Sequence, residues 1–131
     1  VTERKSTKLK HIVFYWLPVI VYMAFIYYLS SVPYNDLPIP DIWNIDKVIH
    51  SIEYAFLAIL WARAINATKK DYKGYAIATF LIVFFYGIFD EVHQFFVPSR
   101  FFDPFDIVAD GLGAWAGIWI YKDRYSKDRH R

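Results

Sequence analysis

No cysteine occurs among the 131 residues. Disulfide cross-links and thiolate metal ligands are therefore excluded, and the absence says nothing about compartment. An excess of one charge sign is also missing. The 15 Lys and Arg against 13 Asp and Glu leave a formal charge of +2, so no basic body points to nucleic acid as a partner. No Ser or Cys nucleophile stands in a recognisable motif, and Ser51 and Ser99 read as structural. No internal repeat is visible, which weighs against a transporter built from repeated halves. The length is that of a single domain spanning residues 1–131.

What the chain does have is apolar and aromatic bulk. It is 56% hydrophobic and 21% aromatic, above the roughly 45–50% apolar content of ordinary soluble domains. These residues fall in four blocks with little polar face between them, which predicts four helices at about 12–29, 47–65, 75–97 and 104–121. Each block is near the roughly 20 residues that cross a bilayer. The expected fold is thus all-α: a polytopic membrane protein, a bundle of four transmembrane helices. The first block holds no charge and exceeds the h-region of a secretory signal, about 7–15 residues, so it reads as a retained helix. Its Trp16, Tyr22, Tyr27 and Tyr28 suit an interface or packing role, and the helix itself reads as closing the bundle.

The basic residues give a direction. Arg4, Lys5, Lys8 and Lys10, then Arg63, Lys69, Lys70 and Lys73, then Lys122, Arg124, Lys127, Arg129 and Arg131 fall on one side of an alternating path. Only Lys47 and Arg100 fall on the other. The positive-inside rule then predicts a multi-pass protein of the plasma membrane with both termini cytoplasmic. Acidic residues are skewed the other way. Asp36, Asp41, Asp46, Glu53, Asp90, Glu91, Asp103, Asp106 and Asp110 are in or near the outer half, while Glu3, Asp71, Asp123 and Asp128 are inner.

Local signals fit this path. Pro33, Pro38 and Pro40 make the first outer connection non-helical, and Pro98 closes the third helix. Asp103 before Pro104 predicts an N-cap with Pro at the first helical position, and Asp46 is expected to cap or open the second helix.

Within the apolar blocks the polar residues form stripes. Asp46, His50, Glu53 and Leu57 fall within about 60° of arc at about 100° per residue. The third helix places Asp90, His93 and Gln94 on one face, flanked by Glu91. The fourth aligns Asp106 and Asp110 with Gly113 and Gly117, a small-residue spacing that permits close approach of a second helix. Glu53, Asp90 and Asp110 each lie seven residues inward from the outer end of their helix, about 10 Å deep. A charge at the bilayer centre costs about 2.5–3.5 kcal/mol, whereas interhelical hydrogen bonds average only about 0.6 kcal/mol. Stripes at one depth therefore predict an outward-facing functional cavity more than internal glue.

These segments resemble the VanZ-like membrane protein family. The runs DKVIHSIEYAFL (46–57), DEVHQFFVPSR (90–100) and DIVADGLGA (106–114) are similar to its three ordered signatures, and SSVP (30–33) to the short motif ending its first helix. Ser99 stands where Gly is expected, read as a modest change in turn chemistry, and Asp110 stands where Asn is frequent. The resemblance implies a small integral membrane protein of bacterial type. The family's namesake is associated with reduced sensitivity to the lipoglycopeptide antibiotic teicoplanin, and no reaction comes with the family name.

Three kinds of function stay open on these residues. As an enzyme at the outer leaflet, the protein would use His50 or His93 as general base. Glu53, Asp90 or Glu91 would orient it or donate a proton, and Arg100 would grip a phosphate or carboxylate head group. Asp46, Lys47, Gln94, Asp106 and Asp110 complete the expected ligand contacts. A lipid-linked cell-wall precursor suits that geometry. A metal form of this reading places a divalent ion on His50 and Glu53, one turn apart, with further ligands from Asp90, Glu91 and His93, a donor set suited to zinc, iron or manganese. As a binding or transport protein, the cavity would take a cation, a proton, a lipid or a drug, alone or as a homo-oligomer. As an assembly factor, it would use the polar groups only to hold helices together.

Overall fold

The computed structural model describes residues 1–40, 42, 44–69 and 73–131. Asp41, Lys70 and Asp71 of the charge balance lie outside the described residues. The described chain is all-helical: α1 (Thr2–Ser31), α2 (Ile45–Thr68), α3 (Tyr75–Phe95) and α4 (Pro104–Arg129), with a 3₁₀ turn at Tyr34–Asp36 after α1. α1, α2 and α3 are long and apolar enough to cross a membrane. α4 falls short of that mark, because Asp106 and Asp110 lie inside its apolar stretch.

The helices outrun the apolar blocks at several ends. α1 begins at Thr2 and α4 continues to Arg129. Apolar blocks measure the hydrocarbon width, not the helix, and the polar extension of α4 is supported by Lys127 donating to Asp123 at 2.7 Å. α3 stops at Phe95, two residues short of the expected 97, because a residue before proline disfavours helical geometry. The chain instead turns at residues 97–100, with the Arg100 N–H donating to the Val97 carbonyl at 3.2 Å. Pro98 and Ser99 occupy the central positions, and Ser99 has φ 62°. That is the glycine-favouring position of a type II turn, so serine here carries more strain than a modest change in turn chemistry implies. Asp103 caps α4 as expected, accepting from the Phe105 N–H at 2.9 Å. Asp46 does not cap α2. Asn44 takes that position with φ 61° and no side-chain cap, and Asp46 lies in the first turn.

The register of cross-helix contacts gives the directions. Met23 and Ser31 of α1 meet Tyr86 and His93 of α3 in the same order, so α1 and α3 run parallel. Trp16 donates to Thr68 and Tyr22 to the Glu53 carbonyl, so α1 and α2 run antiparallel. Lys47, Ser51 and Asn66 of α2 meet Asp106, Ala109 and Tyr121 of α4 in ascending order, so α2 and α4 run parallel. The bundle alternates direction, and the start of α2, the end of α3 and the start of α4 share one end. A core of Ile26, Tyr54, Leu57, Ala58, Val83, Ala114 and Ile118 lies beneath that end. The outside is apolar: Phe14, Ile20, Val21, Ile52, Ile77, Phe85, Leu112, Trp115 and Trp119 are all exposed, a surface suited to lipid contact.

The tightest packing is between α2 and α4. A Cβ added to Gly113 would stand 2.2 Å from the Ser51 carbonyl oxygen, and one added to Gly117 would stand 2.2 Å from that of Ala55. The expected small-residue contact is real, and its partner is the α2 backbone. Gly113→Ala should therefore destabilise the detergent-solubilised protein by about 1–3 kcal/mol, seen as a lower Tm. Gly111→Ala is the matched control, since its Cβ would meet only the Phe84 ring at an ordinary 3.4 Å. Equal melting of the two variants would refute this account of the crossing.

Candidate functional site

The shared end of α2, α3 and α4 gathers most of the polar stripes. His50 is at the centre. Its Nδ1 lies 2.9 Å from Asp110 Oδ1, and its Nε2 lies 4.0 Å from Glu91 Oε1 and 3.9 Å from Asp106 Oδ2. A carboxylate opposite Nδ1 makes that nitrogen the donor and fixes the ring. Nε2 is then the atom that can take or give a proton, or bind a cation. Asp110 and Glu91 are fully buried, and Asp106 and His50 nearly so. The expected carboxylates for orienting His50 are Glu53, Asp90 or Glu91; the side chain that holds the ring is Asp110. The ring of Tyr54, fully buried, stacks parallel to His50 at 6.4 Å between centroids.

A second group forms the rim. Lys47 Nζ donates to Asp103 at 2.7 Å, Asp106 at 3.1 Å and Asp46 at 3.2 Å. All of its N–H groups are thus directed at carboxylates, and it ties the first turn of α2 to the first turn of α4. The Asp103 N–H in turn donates to Glu91 Oε2 at 3.2 Å, which joins α3 to the same group. Lys47 is placed to clamp helices rather than to meet a ligand.

Two cavities open on these residues. The deeper one, about 240 Å³, is lined by the apolar residues Ile26, Leu29, Leu37, Ile39 and Ile49 together with the polar residues Asp46, His50, Glu53, Asp90, Gln94 and Arg100. The other, about 440 Å³, shares His50, Asp46, Gln94 and Arg100 and adds Asp103 and Asp106. Of Glu53, Asp90 and Asp110, expected at one depth in one cavity, Glu53 and Asp90 line the deeper cavity and Asp110 lines neither. A family model described as VanZ/LLP1 matches residues 3–125, which takes in every residue lining both cavities. The chain belongs to the VanZ/LLP1 family. No curated protein and no solved structure was found to match it.

In this VanZ/LLP1 chain the second signature divides three ways. Asp90 and Gln94 face the cavity, with Gln94 donating to Asp90 at 3.2 Å. Glu91 and His93 are two residues apart, about 200° around a helix, and point to opposite neighbours. Glu91 turns toward α4, whereas His93 turns to α1, where it stacks on Tyr27 at 4.5 Å and sits 2.9 Å from Ser31 Oγ. His93 lines neither cavity. A metal set of His50, Glu53, Asp90 and His93 is therefore not the group that comes together; among the described residues the compact donor groups are His50, Glu91 and Asp106, and Asp46, Asp103 and Asp106.

Arg100 reaches from its turn to the end of α1. Its Nη2 donates to the Leu29 carbonyl at 2.7 Å, its Nε to that of Val32 at 3.0 Å and its Nη1 to Gln94 at 3.4 Å. The edge expected to grip an anionic head group is occupied by backbone carbonyls of α1, and burial lowers the pKa of the guanidinium. Several residues of the site give no functional signal in the sequence. Asp103 reads there as a cap and as one of the outer acidic residues, not as a site residue, and Ser30 and Ser31 only as part of SSVP. α1, which reads as closing the bundle, supplies Ser30 and two of the apolar lining residues, Ile26 and Leu29.

The Lys47 clamp has a pH signature. The hydrogen bond from Lys47 holds the Asp103 carboxyl below its ordinary value of 3.8. A carboxyl lowered on folding stabilises the protein above its unfolded pKa, and that contribution is lost as pH falls through the folded value. Lys47→Met should lower stability by about 1–3 kcal/mol at neutral pH, since Asp106 is left buried without its ammonium. The gap in Tm between wild type and variant should be full above pH 3.8 and shrink below it. A gap that stays constant through the acid limb would show that Lys47 acts by packing alone.

Proposed function

We propose that this protein is a four-span, multi-pass protein of the plasma membrane that binds an outer-leaflet lipid. The lipid's head group meets the polar residues of the cavity while its chain lies along the apolar ones. The observation that carries the reading is the mixed lining of one cavity: apolar Ile26, Leu29 and Ile49 share it with Glu53, Asp90 and Gln94. Carboxylates outnumber cations there, and Arg100 and Lys47 are engaged by the protein. The matching head group is rich in N–H and O–H donors, amines or sugar hydroxyls, on a long alkyl chain. A lipoglycopeptide such as teicoplanin shares that chemistry, as do the sugars of a lipid-linked cell-wall precursor, whose phosphate would meet Arg100 and Lys47 already engaged.

A fourth span is supported by the course of α4 beside α2, from Lys47–Asp106 at one end to Asn66–Tyr121 at the other. Its Asp106 and Asp110 face Lys47 and His50 rather than lipid. Cytoplasmic termini are supported by the basic residues, which gather at the end of the bundle away from the cavity.

Because the chain has no cysteine, single-cysteine variants report topology cleanly. Ser99→Cys should react with a membrane-impermeant maleimide in intact cells, and Ser126→Cys only after permeabilisation. The reverse pattern would invert the orientation and close the cavity to the outer leaflet. For the ligand, native mass spectrometry of gently extracted protein should show a retained lipid at equal stoichiometry. Glu53→Gln and Asp90→Asn should each cut retention about tenfold, the loss of roughly one charged hydrogen bond of about 1.5–3 kcal/mol. Protein that flies bare, or variants that hold lipid as well as wild type, would remove the lipid reading.

A further inference from the structure

We propose that His50, Glu91 and Asp106 form a binding site for a divalent first-row transition-metal ion, with Asp110 behind His50 as the outer partner that fixes the imidazole.

The donor atoms of these residues, one each, all lie within 4.8 Å of one another. Atoms so spaced enclose a point about 2.5 Å from each, a small contraction away from the roughly 2.0–2.2 Å of a zinc–nitrogen or zinc–oxygen bond. The decisive group is Glu91. Its side chain is fully buried, its Oε1 has no hydrogen-bond partner, and that oxygen faces His50 Nε2 at 4.0 Å. A buried carboxylate oxygen without a donor is strongly disfavoured unless a proton or cation meets it. Its other oxygen is already committed to the Asp103 N–H.

The neighbouring contacts have the form that metal ligands take. His50 presents Nε2 while Nδ1 meets Asp110 at 2.9 Å, the carboxylate–histidine–metal arrangement. Asp106 presents Oδ2 toward His50 while its Oδ1 accepts from Lys47 at 3.1 Å. One imidazole nitrogen and two carboxylate oxygens suit Zn²⁺, Mn²⁺ or Fe²⁺ more than the all-oxygen shells of Ca²⁺ or Mg²⁺. The other donor trio, Asp46, Asp103 and Asp106, differs because the Lys47 ammonium already sits among its carboxylates. His50 and Asp106 also line the outer cavity, so a further position on the ion would face the space where a head group enters.

The site stands on these ligands and does not rest on the lipid reading, so the two can fail separately. The test is calorimetric titration of Zn²⁺ into the full chain, stripped with chelator and delipidated in detergent. Wild type should bind one ion per chain. Glu91→Gln and His50→Gln should each weaken binding at least about tenfold, and Asp110→Ala about 10–100-fold through the outer partner. His93→Ala, outside the group, should leave affinity unchanged. No binding by wild type overturns the site. Binding that survives His50→Gln overturns it too, since the ion then belongs to the Asp46, Asp103 and Asp106 group. Should the variants fail to fold, X-ray absorption of zinc-loaded wild type decides: one imidazole in the coordination shell is expected, and a shell without it refutes the assignment.

Discussion

The close crossing of α2 and α4 is the contact on which the rest of this molecule depends. Glycine at 113 and 117 lets α4 lie against the carbonyls of Ser51 and Ala55 with no side chain between them. In hydrocarbon there is little hydrophobic drive to bring helices together, so van der Waals fit and interhelical polar contacts decide which faces meet. That fit places the turn of α2 bearing Lys47 and His50 against the turn of α4 bearing Asp106 and Asp110. A bulkier pair of residues would hold the helices apart and lengthen every polar contact above them.

Once that crossing is set, the charges order themselves by depth. Lys47 lies at the rim with Asp46, Asp103 and Asp106 around it, where water can still reach much of the group. His50 lies one turn deeper with Asp110 and Glu91, which are fully buried. A buried carboxylate is tolerable only when hydrogen bonds or an opposite charge meet it, and nearly every contact in this region does so. The exceptions are single oxygens of Asp90, Glu91 and Asp110. Asp90 lines the deeper cavity and the Glu91 oxygen faces His50, whereas the Asp110 oxygen lies toward Gly87 of α3.

α1 and α3 complete the chamber in different ways. α3 distributes its polar residues around its circumference, Glu91 to α4, Asp90 and Gln94 to the cavity, His93 to Tyr27 and Ser31 of α1. Arg100 then fastens the end of α3 to the carbonyls ending α1, satisfying acceptors that a helix terminus leaves open. The fastening holds Ile26 and Leu29 of α1 in the same cavity as Asp90 and Gln94 of α3.

Much of this is legible in the residues alone. Four helices, the Asp103 cap, the proline-closed end of α3, the glycine face of α4 and the membership of the polar stripes all follow from local rules: helix periodicity, cap chemistry and hydrophobic length. Periodicity fixes the face a side chain occupies on its own helix. It carries no information about which neighbour that face meets, and that is where reading by stripe fails. His93 and Asp90 share a face by spacing, yet a rotation of about 60° is enough to send one to α1 and the other to the cavity. Asp110 rather than Glu53, Asp90 or Glu91 partners His50 because the glycine contact brings α4 within hydrogen-bond reach of that ring, whereas Glu91 of α3 stays 4.0 Å away. Arg100 is free for a ligand in the sequence and is spent on α1 in the fold, since the carbonyls it meets are distant in the chain. Local rules therefore settle the helices and the polar faces they carry. The pairings come from tertiary packing, because they depend on helix rotation and on the separation that glycine permits.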